Sequence, residues 1–146
     1  MLAIRSAVLL SMFVASTAIS HAAEFPTAPP RLKDAEAQGL VRMSTTELKE
    51  FLPGKVESQG PLGGRVKTFK ADGSVDRTAV GQKEGIEGSG TWRFDEKNNV
   101  YCEAFQEKRR YRDECFAVFR APDSTHYFDY EVKTGFFTHA WRRATE

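Results

Sequence analysis

The part of the chain after Gly54 is built of short stretches in which apolar and polar residues alternate, with turn signals between them. Residues 65–69 read RVKTF and lead into an Ala-Asp-Gly turn, and residues 90–94 read GTWRF. Residues 125–132 (THYFDYEV) and 135–141 (GFFTHAW) have the pattern of a last hairpin. Short strands at regular spacing, without helices between them, are typical of an antiparallel meander. The sequence therefore predicts a mainly β fold, a small antiparallel meander of about seven or eight strands that closes into a barrel or a sandwich.

One short helix is predicted before these strands. Ser44 can cap its start, and Glu47 lies three residues later, which completes a capping box. The apolar residues then recur at helical spacing on one face: Leu48, Phe51 and Leu52. Proline and glycine follow and end the helix.

The first 23 residues have the pattern of a secretory signal peptide. A basic head is followed by an apolar run from Ala7 to Ile19 and by small residues up to Ala23. This run is too short to cross about 30 Å of hydrocarbon. We therefore expect residues 1–23 to be removed during export, which leaves no transmembrane segment and places the protein in the periplasm or outside the cell. The proline-rich residues 24–43 are predicted to form an extended leader, and residues 44–146 a single β domain with its N-terminal helix.

Removal of the signal also balances the charge. The chain has 21 Lys and Arg residues against 20 Asp and Glu residues, and the signal contains Arg5 but no acid. The mature chain is then left with 20 basic and 20 acidic residues, a formal net charge of zero. Nucleic acids and anionic membranes attract proteins with a sustained positive field, so we expect neither as a partner.

The two cysteines, Cys102 and Cys115, flank a hairpin centred on Lys108 and Arg109. Two cysteines in an exported chain usually oxidise, and such a hairpin places them directly opposite each other, within disulfide reach. A thioredoxin-like site has only two residues between its cysteines, and a closed zinc site needs four ligands. We predict a structural disulfide, no metal site and no cofactor. Because Lys-Arg is poor chemistry for a two-residue turn, we also expect a longer connecting loop.

Four cations crowd the tip of this hairpin: Lys108, Arg109, Arg110 and Arg112. Charges at a sheet edge discourage edge-to-edge pairing, which is the simpler interpretation. Arginine is also a fork-shaped donor for carboxylate and phosphate, so the same residues are candidates for a contact with an anion or a protein partner. The adjacent acids Asp113 and Glu114 favour the first interpretation, and the second is kept as an alternative.

No catalytic residue can be assigned from the sequence. His126 and His139 both lie in the last hairpin, and nearby carboxylates do not complete a metal site with them, so we interpret them as ordinary strand residues and Asp129 as one of many strand acids. Ser89 lies in Gly-Ser-Gly, whereas a nucleophile elbow has glycines two positions to either side and a following helix. The chain also contains no glycine-rich phosphate loop and no dinucleotide motif.

Aromatic residues are concentrated in one third of the chain, between Trp92 and Trp141. Most are expected in the core, because a small domain depends on bulky side chains to bury area. In a closed barrel, inward aromatic side chains can instead line a cavity. Trp92, Phe94 and Trp141 are the candidates for lining a pocket for a small apolar ligand.

A family resemblance combines several of these features. Leu52 to Lys55 follow the helix, an Ala-Asp-Gly turn and Gly-Thr-Trp (Gly90 to Trp92) come next, and Cys102 and Cys-Phe-Ala-Val (Cys115 to Val118) complete the pattern. The chain resembles the small exported proteins of alphaproteobacteria grouped as domain of unknown function family 995. The resemblance implies export and a compact β domain, and no particular activity.

The sequence therefore predicts an exported, disulfide-stapled β protein. We expect a non-enzymatic binding module for a protein partner or a component of the cell envelope, because a rigid β scaffold with variable loops suits that role. The alternatives are a carrier of a small apolar ligand in an aromatic-lined barrel and a hydrolase of envelope polymers.

Overall fold

The computed structural model describes residues 24–60, 63–79, 88–107 and 110–144, and of residues 107 and 110–112 only the backbone. Two helices and nine strands form within these ranges. In chain order they are α1 (Leu32–Ala37), β1 (Val41–Arg42), α2 (Thr45–Phe51), β2 (Gly54–Gly60), β3 (Gly63–Phe69), β4 (Ser74–Ala79), β5 (Gly88–Asp95), β6 (Val100–Glu107), β7 (Arg110–Arg120), β8 (Tyr127–Glu131) and β9 (Phe137–Arg143). Within the described part of the chain, neither helix has the length and apolar character needed to cross a bilayer.

Strands β2 to β9 form a closed barrel. Each strand pairs antiparallel with the next along the chain, and β9 pairs with β2, where Trp141 lies opposite Ser58. The two-residue strand β1 pairs with the last two residues of β7, beyond the point where β6 begins. The predicted antiparallel meander is confirmed, and it closes into an eight-stranded barrel rather than a sandwich.

Helix α2 covers one end of this barrel. The Ser44 side chain caps the helix by accepting from the Glu47 amide, and the Glu47 carboxylate accepts from the Ser44 amide at 2.8 Å. This is the predicted capping box. Leu48 and Leu52 are buried on the face that meets the barrel interior, so the end of the barrel beside α2 is apolar.

Residues 24–43 do not form the extended leader that we expected: residues 25–40 pack against the outside of the barrel, and Met43 is buried with Leu48 and Leu52. They contain helix α1, and the Tyr130 hydroxyl on β8 donates to the Pro29 carbonyl at 2.9 Å. The physical reason is that the outer face of strands β7 and β8 is apolar, with Phe119 and Phe128 buried there. An apolar outer face needs a cover, and the N-terminal segment supplies it.

The disulfide is present as predicted. Cys102 of β6 lies directly opposite Cys115 of β7, and their sulfur atoms are bonded at 2.05 Å. The pairing of these strands continues to Glu107 opposite Arg110. Two residues therefore connect the strands, and our expectation of a longer connecting loop is wrong.

Candidate functional site

The interior of the barrel is apolar at the α2 end and charged farther along. Successive residues of a strand point to opposite faces, and directly paired residues of neighbouring strands share a face. Phe69 of β3 is buried in the apolar core, so Lys67 and Arg65 on the same strand also point inward. Arg77 of β4 is paired with Lys67 and follows the same rule.

A buried ion pair crosses the interior. The Lys67 ammonium lies 2.7 Å and 2.9 Å from the two carboxylate oxygens of Glu103, and only 6% and 5% of the two side chains are exposed. Their strands, β3 and β6, are separated in the sheet by β4 and β5. Because they are not neighbours in the sheet, the pair spans the lumen rather than following its wall.

A second buried carboxylate, Asp129 on β8, accepts two hydrogen bonds. The Tyr101 hydroxyl donates to one oxygen at 2.5 Å, and the Trp141 indole N–H donates to the other at 2.6 Å. Burial raises the pKa of Asp129 to about 6, although Lys67 and both hydrogen bonds favour the charged form. Burial and the neighbouring Asp129 and Glu103 carboxylates also raise the pKa of Tyr101 well above its ordinary value. The Tyr101 hydroxyl therefore stays protonated and acts as a donor.

A small internal cavity lies between these groups and the apolar end. The space open to the centre of a water molecule is about 10 Å³, which is roughly the minimum that holds one water. Its lining combines apolar and charged side chains: Leu52, Val56, Ser58, Lys67, Phe69, Tyr101, Asp129 and Trp141. In this conformation the cavity has space for a single water beside the charged cluster.

His139 of β9 lies opposite Asp129, toward the end of the barrel away from α2. Its Nδ1 atom is buried and has no hydrogen-bond partner within the described residues. Burial, together with the positive charges of Lys67, Arg65 and Arg77, lowers the pKa of His139 to about 3. The imidazole is therefore neutral at physiological pH and experiences a positive potential.

The three predicted pocket residues lie at different depths. Trp141 lines the cavity. Trp92 lies nearer the α2 end, where its indole N–H donates to the Lys70 carbonyl at 2.9 Å and its ring contacts Phe94 and Phe69 edge to face. Neither Trp92 nor Phe94 lines this cavity.

The predicted cation cluster falls largely outside the described structure. Lys108 and Arg109 lie outside the described residues, and for Arg110 and Arg112 only the backbone in β7 is described. The adjacent Asp113 forms a two-pronged ion pair with Arg93 of β5, with both distances at 3.1 Å. A contact of the four cations with a partner or an anion stays a prediction.

The remaining polar candidates have local roles. His126 precedes β8, and its Nδ1 lies 2.5 Å from the Asp123 carboxylate, which also accepts from the His126 amide in the turn. The Ser89 hydroxyl donates to Asp76 across the β4–β5 pair at 2.7 Å. Within the described ranges, no group of three or more His, Cys, Asp or Glu residues could hold a metal ion.

Sequence reasoning missed the charged interior, although a signal for it was present. Lys67 has the same strand parity as Phe69, Glu103 the same as Tyr101 and Phe105, and Asp129 the same as Tyr127. A charged residue in phase with buried aromatic residues points to the same interior. From the sequence alone, Asp129 is instead interpreted as one of many strand acids.

Comparison with protein-family models, with curated proteins and with solved structures finds no match for this chain.

Proposed function

We propose that this protein is a binding module that holds a small ligand with charged or hydrogen-bonding groups inside its barrel. The observation that carries this proposal is the charged cluster of Lys67, Glu103 and Asp129 in the lumen. Replacing a buried ion pair by well-packed apolar residues is often neutral or stabilising by about 1–4 kcal/mol. A cluster of this kind is therefore poorly explained by stability alone, and shifted pKa values at buried residues concentrate at functional sites.

The architecture supports a ligand in this position. Eight strands enclose an interior that side chains can fill or that can hold one small molecule. Here the α2 end is filled by Leu48 and Leu52, whereas His139, Arg65 and Arg77 at the other end are only partly buried. A ligand would enter from that end. The charged lining favours a polar or ionic ligand over the purely apolar ligand considered from the sequence.

The disulfide supports a location of the protein outside the reducing cytosol. Stable disulfides such as Cys102–Cys115 persist in oxidising compartments. We therefore keep the periplasm or the extracellular space as the proposed location, and membership of domain of unknown function family 995 as part of the same proposal.

Native mass spectrometry of protein purified from its own envelope fraction tests the proposal. The interior variant is Lys67→Met/Glu103→Met, and the matched control is Glu57→Met/Arg142→Met. The control removes an ion pair on the outer face of β2 and β9, in which the Arg142 guanidinium lies 3.0 Å from the Glu57 carboxylate.

We expect the wild-type protein and the control variant to carry extra mass that is lost on denaturation, and the interior variant to lack it. Near-UV circular dichroism would verify that all three proteins are folded. A wild-type protein without extra mass, or an interior variant that retains the same ligand, would overturn the proposal.

A further inference from the structure

Three cations on two adjacent strands face the barrel interior, which also holds the imidazole of His139. Arg65 and Lys67 of β3 and Arg77 of β4 all depress the pKa of His139 on β9. The Arg77 guanidinium lies 4.5 Å from the centre of the Phe105 ring, which fixes its inward direction. This contact and the alternation along β3 and β4 place the three cations inside the barrel rather than on its outer surface.

The wall of the barrel leaves space for these side chains. A Cβ atom on Gly60 would lie 2.9 Å from the His139 ring and 2.6 Å from the Thr138 carbonyl, so a side chain there would collide with both. A Cβ atom on Gly88 would lie 3.6 Å from the Arg77 guanidinium. The glycine at position 60 thus permits the His139 ring to lie against the wall of the barrel.

Two of the acidic side chains that face the same part of the interior bind other groups of the protein. Glu103 binds Lys67, and Asp129 accepts from Tyr101 and Trp141. Glu114 is paired with Glu103 across β6 and β7 and is partly buried. Three acids and three cations therefore share this interior, and the positive charges of Lys67, Arg65 and Arg77 help to lower the pKa of His139.

We propose that Arg65, Arg77 and His139 form an oxyanion site at the end of the barrel away from α2, with Lys67 and its bound Glu103 beneath it. This inference rests on the proposed function and names its ligand class: a small organic molecule with a carboxylate or phosphate group. Arginine guanidinium groups bind both oxyanions through paired hydrogen bonds. The buried Nδ1 of His139, which has no partner among the described residues, is available to donate a further one.

The site can be tested by nuclear magnetic resonance on mature protein labelled at histidine. Outside the first 23 residues the chain has two histidines, His126 and His139, so His126 is an internal control. Sodium benzoate and inorganic phosphate are titrated separately at constant ionic strength, and benzamide is the neutral counterpart of benzoate. Benzoate and phosphate distinguish a carboxylate ligand from a phosphate ligand.

We expect at least one of the two anions to move the His139 ring signal saturably without moving the His126 signal. Arg65→Gln/Arg77→Gln should weaken that binding by about tenfold or more, because hydrogen bonds to charged groups are lost. Arg93→Gln, which removes a cation bound to Asp113, should bind as the wild-type protein does.

Three results would overturn the site: no saturable shift of His139 with either anion, an equal shift with benzamide, or unchanged affinity in the arginine double variant. These outcomes are separable from failure of the proposed function. A ligand retained in native mass spectrometry with no anion response would preserve the binding module and remove the oxyanion site.

Discussion

Removal of Lys67 alone should destabilise the protein more than removal of both Lys67 and Glu103. In Lys67→Met the Glu103 carboxylate remains buried without its cation, near the second buried carboxylate of Asp129. A buried charge without a partner is disfavoured so strongly that the group takes up a proton instead. In Lys67→Met/Glu103→Met no such charge is left by the substitution, and methionine adapts to the vacated space.

The stability lost in Lys67→Met follows from the protonation equilibrium of a glutamate. An ordinary glutamate has a pKa of about 4.3, and each pH unit above that value adds about 1.36 kcal/mol to the free energy of protonation. Keeping the carboxyl neutral at about pH 7 therefore costs about 3.7 kcal/mol, within the range of about 3–5 kcal/mol for breaking a buried pair. At about pH 5 the same term falls to about 1 kcal/mol. The stability lost in Lys67→Met should thus shrink as the pH falls.

Urea unfolding followed by tryptophan fluorescence at both pH values measures this difference. Trp92 and Trp141 are both buried and report on the barrel. The control variant Glu57→Met/Arg142→Met, which removes a partly exposed pair on the outer face, should lose no more than about 1 kcal/mol. A loss below about 1 kcal/mol for Lys67→Met at pH 7, or a double variant as unstable as the single one, would refute the reasoning.

Three further predictions concern separate parts of the fold. The pKa of Asp129 is raised from 3.8 to about 6, so the folded state binds its proton more tightly, and wild-type stability should fall by up to about 3 kcal/mol as the pH rises through that window. Asp129→Asn should lack this fall in urea titrations at pH 4 and 7, and an identical pH response would contradict the assignment. Cys102→Ala/Cys115→Ala should lose about 3 kcal/mol by chemical denaturation, and a stability equal to that of the oxidised wild-type protein would count against the staple. Tyr130→Phe should lose about 1 kcal/mol, because its hydroxyl binds the Pro29 carbonyl, and should expose residues 24–43 to proteolysis; unchanged stability and digestion would argue against the packed segment.

The local elements were predictable because their signals are local. The residues of the capping box, Ser44 and Glu47, and those of the apolar face of α2 are separated by no more than two helical turns in sequence. The opposition of Cys102 and Cys115 follows from a short hairpin with a symmetric turn. In each case neighbouring residues determine the geometry.

The closure of the barrel and the cover on its outer face depend on contacts between distant residues. Ser58 meets Trp141 where β2 pairs with β9, and Pro29 meets Tyr130 beneath the N-terminal segment. Alternation along a strand tells which residues share a face, but not whether the first and last strands meet. The proline-rich composition of residues 24–43 likewise does not indicate that they cover the apolar outer face of β7 and β8.

The charged interior was not predicted because the charged residues of the alternating strands were assigned to the outer face. Lys67, Glu103 and Asp129 are in phase with buried aromatic residues, which places them inside. Their burial is tolerated because each carboxylate has a donor close by, Lys67 for one and Tyr101 with Trp141 for the other.

A crystal structure of the protein purified from the cells that naturally produce it tests most directly whether the charged interior binds a ligand. The same protein, unfolded in urea, dialysed and refolded, is the ligand-free reference. We predict electron density for a small molecule beside Arg65, Arg77 and His139 in the first crystal and its absence in the second. Two identical interiors that contain only ordered water around an intact Lys67–Glu103 pair would contradict the account.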